Sequence, residues 1–165
     1  MILLALDLGT KTGWCAGEAA LHATGVQNFS PRRHEGGGMR ILRFQRWLDE
    51  IHAARGIQEV VYEEVRRHNG VDAAHVYGGL MGALTAWCEA RGVPYAGVPV
   101  GTIKKFATGK DNASKDDMLV AVRSWVQPGV GTYDPADDNE ADAIALFWHR
   151  TAETEGVMPV VKEQN

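Results

Sequence analysis

The stretch Ile2-Leu3-Leu4-Ala5-Leu6-Asp7-Leu8-Gly9-Thr10 decides the fold of this chain. Five apolar residues in succession, without polar alternation, are typical of a strand that is buried on both faces of a sheet. The run ends at Asp7, and Gly9 then permits a tight turn. The sequence therefore predicts a central strand over 2–7 that carries a carboxylate at the rim of the sheet.

Strand and helix patterns follow this first strand along the rest of the chain. A hairpin is expected over 12–18 and 21–29, and two further strands over 57–63 and 93–98. Helices are expected over 39–54, 71–91, 100–106, 114–125 and 138–151, with Gly56 and Gly92 ending the first two. Ser114 and Asp117 suggest an approximate capping box, and 127–136 is expected to be a loop. This order predicts an α/β fold, a five-stranded mixed sheet with three antiparallel and then parallel strands, flanked by helices.

Length and composition favour one ordinary globular domain. With 165 residues, 45% hydrophobic and 23% charged, the chain can bury one substantial core. We expect a single domain over 1–155 and a flexible tail over 156–165. The two cysteines form no CxxC pair, which argues against a disulfide framework or structural zinc and suits a cytoplasmic protein. No apolar run reaches the roughly 18 residues of a membrane span.

Three acidic segments supply the candidate catalytic and metal-binding groups. Asp7 ends the first predicted strand, Glu63 ends the fourth, and Asp138, Asn139 and Asp142 lie on the last predicted helix. Carboxyl ends of strands form the usual ligand crevice of an α/β sheet, and residues three or four apart share a helix face. Crowded carboxylates need protons or cations, and oxygen ligands favour Mg²⁺ or Mn²⁺ over zinc. We therefore predict a site where divalent cations assist hydrolysis of a phosphodiester.

Some of these features have plainer explanations. Asp138, just before a helix, could be only its N-cap. Neighbours on a strand point to opposite faces, so at most one of Glu63 and Glu64 can be a ligand. The helix over 71–91 carries a group of small residues at Gly78, Gly79, Gly82 and Ala83. These would let another element approach closely, which leaves internal packing and a dimer contact both open.

The order and spacing of these motifs resemble the RuvC-type Holliday junction resolvases, a branch of the ribonuclease H-like nucleases. The resemblance spans residues 3–149 and rests on Ala5-Leu6-Asp7-Leu8-Gly9-Thr10, Val61-Tyr62-Glu63-Glu64-Val65 and Asn139-Glu140-Ala141-Asp142-Ala143. It implies a ribonuclease H-like fold and an endonuclease that cleaves four-way or other branched DNA. It also implies two Mg²⁺ or Mn²⁺ ions per active site, and a homodimer formed through the helix around Gly78–Ala83.

The resemblance implies roles for individual residues. Asp7, Glu63 and Asp142 match the family's acidic ligands, with Asp138 or Asn139 as the fourth, and Lys115 matches a lysine near the scissile phosphate. The expected DNA contacts are basic: Arg66, Arg67, His68, Lys104, Lys105, Lys110 and Lys115. Two positions depart from the pattern. Asn139 stands where relatives have Asp or His, and Arg66 where they have an aromatic at the junction centre.

Other functions share parts of this pattern. A YqgF-like nuclease that matures ribosomal RNA also begins with a strand and Asp-x-Gly. An ATP-binding fragment of the actin or sugar-kinase type begins with Asp-x-Gly-Thr, but such proteins usually have a second, similar domain. Loss of a ligand at Asn139 would instead leave a protein that binds junctions without cleaving them. The net charge of −4 does not exclude DNA, because local groups of basic residues can bind phosphates.

Overall fold

The computed structural model of this protein describes residues 1–162. Eight strands and five helices follow one another along this part of the chain. The strands are β1 Leu3–Asp7, β2 Lys11–Glu18, β3 Leu21–Asn28, β4 Glu59–Glu64, β5 Tyr95–Pro99, β6 Trp125–Gln127, β7 Gly131–Thr132 and β8 Val160–Val161. The helices are α1 Gly38–Arg55, α2 Val71–Arg91, α3 Val100–Thr108, α4 Lys115–Arg123 and α5 Asp138–Glu155.

Five strands form the main sheet in the order β3-β2-β1-β4-β5. β1 pairs antiparallel with β2 on one side and parallel with β4 on the other. β2 pairs antiparallel with β3, and β4 pairs parallel with β5. The predicted mixed sheet is therefore confirmed. Its central strand is β1, as expected for a continuous apolar run.

β1 contributes to two separate cores, one on each face of the sheet. Leu3 and Ala5 pack in the core formed with α3, α4 and α5, whereas Leu4 and Leu6 pack in the core formed with α1 and α2. Successive side chains of a strand point to opposite faces. By the same alternation, Asp7 continues the row of Leu3 and Ala5 and faces α5.

The helices lie where the sequence predicts them, but α3 and α5 run two and four residues further and α4 ends two residues earlier. Gly56 and Gly92 end α1 and α2 in the left-handed conformation, with φ of 68° and 63°. Ser114 and Asp117 form the predicted capping box at the start of α4. None of the helices within residues 1–162 combines the length and the apolar character needed to cross a membrane.

β6, β7 and β8 form a small second sheet, in segments that were predicted as the end of a helix, a loop and a tail. The prediction of a helix through Trp125 was wrong: α4 ends at Arg123, and Trp125 begins β6, where its buried ring packs edge-on to Phe106. The predicted loop over 127–136 contains β7. The predicted tail over 156–165 differs from the structure at β8, which pairs antiparallel with β6. Residues 163–165 of that prediction lie outside the described residues.

Candidate metal centre

Three carboxylates from distant parts of the sequence meet at one edge of the sheet. Asp7, Glu63 and Asp142 each offer an oxygen that lies within 4.8 Å of the other two. β1 and β4 are parallel neighbours, and their side-chain rows that face α5 end in Asp7 and Glu63. Asp142 lies one turn inside α5. The convergence predicted from the sequence is therefore present.

The two glutamates that end β4 point to opposite faces, as predicted. Glu63 follows Val61 on the α5 side and is only 8% exposed. Glu64 follows Val60 and Tyr62 on the other side, and its carboxylate lies 3.4 Å from the exposed Arg66 guanidinium. Only Glu63 of this pair belongs to the acidic cluster.

The start of α5 is fastened directly onto the sheet beside Asp7. Gly13 is the cross-strand partner of Asp7, and a Cβ built on Gly13 would lie 1.9 Å from the Asn139 carbonyl oxygen. Only glycine permits this approach of helix backbone to strand backbone. It brings the first turn of α5, and hence Asp142, within reach of β1.

Glu140 makes a second connection between α5 and the sheet, and this role was not predicted from the sequence. Its buried carboxylate accepts a hydrogen bond from the Thr24 hydroxyl at 2.6 Å and from the Ala136 N–H at 2.7 Å. Glu140 therefore ties α5 to β3 and to the preceding loop, and is not part of the acidic cluster. The available signal was a glutamate followed directly by an apolar helical stretch, where burial demands a partner.

Asp137, and not Asp138, is the N-cap of α5. The Asp137 carboxylate accepts a hydrogen bond from the Glu140 N–H at 3.0 Å, so the capping explanation for Asp138 is wrong. Asp138 instead makes an ion pair with Lys115, with Oδ2 to Nζ at 2.5 Å. The Asn139 side chain donates to the Asp137 carboxylate at 3.2 Å.

Burial and mutual repulsion make the three carboxyls unusually weak acids. Burial, followed by the charges of Glu63 and Asp142, raises the pKa of Asp7 well above its ordinary value. Burial raises the pKa of Glu63 to about 7, an effect that nearby Lys104 opposes. Burial and then the Glu63 charge raise the pKa of Asp142 to about 7. Near neutral pH the cluster therefore retains protons unless a cation replaces them.

The residues present fit a divalent cation. Asp142 Oδ1 is buried and has no hydrogen-bond partner among residues 1–162, which is costly for a carboxylate oxygen unless a ligand satisfies it. The donor set consists of carboxylate oxygens alone. Oxygen-only sets suit Mg²⁺ or Mn²⁺ better than zinc.

Divalent cations are expected to stabilise the protein more strongly at high pH. Because the folded pKa values of Glu63 and Asp142 exceed those of unfolded carboxyls, the free energy of unfolding in EDTA should fall as the pH rises from about 4 to about 7. At a concentration of about 100 times its Kd, Mg²⁺ should raise the free energy of unfolding by about 2.7 kcal/mol, which corresponds to a rise of about 5–10 °C in Tm. Calorimetry should detect this shift at about pH 8 and little of it at about pH 5. If Mg²⁺ raises the Tm of Asp142→Asn as much as that of the wild type, the cation binds at a different site.

Two of the basic residues expected to contact DNA lie beside the carboxylates. Lys115 pairs with Asp138, and the charges of Lys104 and Lys115 both lower the pKa of Asp142, against the larger effect of burial. The other expected contacts follow the end of β4 or lie on and just after α3: Arg66, Arg67, His68, Lys105 and Lys110. All of these except the half-buried His68 are exposed. Residues 66–68 and α3 follow the carboxyl ends of parallel strands, at the edge that holds the acidic cluster.

Comparison with known proteins identifies the fold. No protein-family model matches the chain, and no curated protein matches it by sequence. Thermus thermophilus RuvC in complex with a Holliday junction substrate matches with a TM-score of 0.72 and 21% identity, over 97% of this chain and 99% of that one. A second Thermus thermophilus RuvC structure matches with a TM-score of 0.66 and 22% identity, over 97% and 100%.

A eukaryotic resolvase gives a weaker match. The yeast mitochondrial Holliday junction resolvase Ydc2 has a TM-score of 0.56 and 16% identity, over 90% of this chain and 77% of that one. At these identities the comparisons bear on the fold. This chain has the fold of the RuvC-type Holliday junction resolvases, as the sequence resemblance predicted.

Proposed function

We propose that this protein is a structure-selective DNA endonuclease that hydrolyses phosphodiesters in four-way junctions or other branched DNA. Residues 1–155 form its nuclease domain. The observation that carries the proposal is the convergence of Asp7, Glu63 and Asp142 on the edge of a resolvase-type sheet. A similar fold in Thermus thermophilus RuvC was solved with a Holliday junction substrate, which supports branched DNA as the substrate class.

The acidic cluster holds two Mg²⁺ ions, or Mn²⁺, through Asp7, Glu63 and Asp142, with Asp138 or Asn139 as a fourth ligand. When bound, these ions lower the pKa of water and stabilise the negative charge of the phosphodiester. The buried carboxylates keep their orientation because their strands and α5 fix them. Lys115, held by Asp138, donates to the scissile phosphate, and Lys104 adds positive charge from α3.

The exposed residues beyond β4 and along α3 bind the DNA backbone. Arg66 offers a guanidinium group where relatives use an aromatic side chain, so this chain contacts phosphates or stacks on bases at that position, and Arg67 adds a second guanidinium beside it. Lys105 and Lys110 extend the contact away from the site. Affinity should therefore fall steeply as salt increases.

The active form is a homodimer joined through α2. Gly79 lies beside α1, and a Cβ there would make an ordinary contact with Ile41 at 3.4 Å, so internal packing does not require glycine at this position either. Gly78 and Gly82 are exposed, and a Cβ on either would meet open space. Small residues that the chain's own packing does not require suit close approach by a second copy of α2. Two sites per dimer can then cut two strands of one junction.

Cleavage of a panel of substrates tests the proposal. In Mg²⁺ the protein should cut a synthetic four-way junction, and cut duplex DNA, single-stranded DNA and structured RNA far more slowly. EDTA should stop the reaction. Light scattering on the same sample should give the mass of a dimer. Preferential cleavage of structured RNA would favour a ribosomal-RNA nuclease, and binding without cleavage in Mg²⁺ or Mn²⁺ would favour a non-catalytic junction-binding protein.

A comparison of Asp138→Ala with Asn139→Ala should identify the fourth ligand. The charge of Asp138 raises the pKa values of Glu63 and Asp142, although less than burial does, so its carboxylate lies close to the cluster. Asn139 makes its hydrogen bond to Asp137 instead. We expect Asp138→Ala to slow junction cleavage by about tenfold or more and Asn139→Ala to slow it much less. Because Asp138→Ala also releases Lys115, the ligand role is read from the Mg²⁺-dependent rise of Tm, which Asp138→Ala should reduce and Asn139→Ala should not. The opposite ranking, in folded variants, would assign the role to Asn139.

A further inference from the structure

The first turn of α5 carries two buried acids that leave the helix in opposite directions. Residues two apart on an α-helix are separated by about 200° around its axis. Asp142 joins the acidic cluster at the ends of β1 and β4. Glu140 therefore points to the other side of the helix, where its carboxylate accepts a hydrogen bond from the half-buried Thr24 of β3 at 2.6 Å.

The strand register shows which part of the sheet each contact of α5 reaches. Gly13 of β2 meets the backbone of α5 directly, and this contact sets the height of the helix above the sheet. Cys15, on the same face of β2, pairs with Thr24 across the hairpin. Burial, and then the charge of Glu140, raises the pKa of the Cys15 thiol, so the carboxylate lies close to it. Glu140 thus crosses β2 beside Cys15 to reach β3.

A single close approach at Gly13 fixes the height of the helix but not its rotation about its own axis. Glu140 supplies the missing constraint, because both oxygens of its carboxylate are hydrogen-bonded. One accepts from Thr24 and the other from the Ala136 N–H at 2.7 Å. Glu140 is only 7% exposed, so loss of this carboxylate would leave donors without an acceptor in a place that water reaches poorly.

Repulsion within the acidic cluster acts against this arrangement. The oxygens of Asp7, Glu63 and Asp142 lie within 4.8 Å of one another, and like charges at such distances repel. A rotation of α5 that carried Asp142 away from the two strands would relieve the repulsion. The same rotation would move the Glu140 carboxylate away from Thr24, so the hydrogen bond between them resists it.

We propose that Glu140 and Thr24 are positioning residues that set the rotation of α5 and thereby the affinity of the acidic cluster for divalent cations. Glu140 acts through its hydrogen bonds and is neither a ligand nor a base. The inference rests on the proposed metal site and nuclease function, and assigns to them two residues outside the cluster. Groups that orient metal ligands typically change metal affinity or activity by about 10–100-fold when they are removed.

Titration calorimetry with Mg²⁺ in the absence of DNA tests the proposal. Glu140→Ala removes both acceptors and should weaken Mg²⁺ binding by about tenfold or more. Glu140→Gln removes the charge but keeps an acceptor for the Ala136 N–H, and its amide can donate to the Thr24 hydroxyl. Its Mg²⁺ affinity should therefore stay close to that of the wild type.

Thr24 provides an independent test from a different strand, should Glu140→Ala fail to fold. Thr24→Val keeps the shape of the side chain but loses the hydroxyl, and should weaken Mg²⁺ binding. Thr24→Ser keeps the hydroxyl and should retain the affinity. Thr151→Val is the matched control, since it removes a buried hydroxyl that bonds within α5, at the Phe147 carbonyl and far from the first turn. It should lower the Tm and leave Mg²⁺ affinity unchanged.

Cleavage of a four-way junction separates positioning from a part in the chemistry. All rates are measured well below the Tm of each variant, which melting in EDTA establishes first. High Mg²⁺ should restore the rate of Glu140→Ala toward that of the wild type, because only the affinity for the cation is reduced. A rate that stays low at saturating Mg²⁺ would overturn the positioning role.

The failures of the two proposals differ. If the wild-type protein binds Mg²⁺ but cleaves no junction, the nuclease proposal fails and the titrations still decide the positioning role. If folded Glu140→Ala and Thr24→Val bind Mg²⁺ as tightly as the wild type, the positioning role is wrong and the nuclease proposal stands. If Glu140→Gln loses as much affinity as Glu140→Ala, the charge of Glu140 is what the cation needs, and the positioning role is likewise overturned.

Discussion

Asp7→Asn is expected to abolish cleavage of four-way junctions while leaving junction binding intact or stronger. The substitution keeps the shape of the side chain but removes one of three converging carboxylates. Polarisation by a bound cation is worth several kcal/mol in the transition state, so the rate should fall by about 1,000-fold or more. Binding should survive because the lost charge repelled the phosphate. Cleavage rates and gel-shift affinities on one junction measure the two effects.

Glu64→Gln is the matched control for Asp7→Asn. It removes the same charge one residue beyond Glu63, from a side chain on the other face of β4. Its cleavage rate at saturating protein should stay within about twofold of wild type, as for an ordinary surface substitution. Equal losses of affinity and activity in Asp7→Asn would contradict the metal-binding role. The metal-binding role would also be contradicted if Mg²⁺ raised the Tm of Asp7→Asn as much as that of the wild type.

Gly13→Ala is expected to damage the site without removing any ligand. The added methyl group would collide with the backbone of Asn139 and Glu140, at 1.9–2.8 Å, and backbone cannot rotate away as a side chain can. The first turn of α5 must therefore move off the sheet and carry Asp142 with it. Overpacking of this kind costs about 1–3 kcal/mol. We expect a lower Tm and a loss of junction cleavage of about 100-fold, since small displacements of catalytic groups have effects of that size.

Two further measurements separate displacement of α5 from general instability. Gly36→Ala adds the same methyl group where no atom lies within 4 Å, and should change neither Tm nor cleavage appreciably. For Gly13→Ala, the Mg²⁺-dependent rise of Tm should be smaller than in wild type, and cleavage should be slow even at temperatures well below the Tm of the variant. Full cleavage and a full Mg²⁺ response in Gly13→Ala would mean that this close approach does not position Asp142.

Local patterns in the sequence were sufficient to predict the sheet and most of the helices. The apolar run before Asp7 predicted a doubly buried strand, and strand alternation predicted that only one of Glu63 and Glu64 could join the cluster. The ends of α1 and α2 at glycine and the capping box of α4 are also local signals. Each depends on a few neighbouring residues, which is why sequence alone could reveal them.

The parts that were wrong or missed depend on contacts between distant segments. Trp125 continues an apparently helical pattern, but its pairing with Val161 and its packing on Phe106 make it a strand. Glu140 accepts from Thr24, 116 residues away, and no spacing rule links the two. A cavity lined by Gly9, Arg40 and Tyr77 likewise exists only because three separate segments meet. Tertiary contacts of this kind override or lie beyond local propensity.

The division of β1 between two cores has a consequence for how this protein can change through evolution. Leu3, Ala5 and Asp7 face one way, and Leu4 and Leu6 the other. Replacing any one apolar residue by another of similar size alters one contact, but deleting a single residue before Asp7 would reverse the facing of the strand segment that shifts. Asp7 would then face the apolar core formed with α1 and α2, and Leu8 would take its place in the acidic cluster. Homologous genes should therefore tolerate exchanges along this strand far more readily than changes in its length.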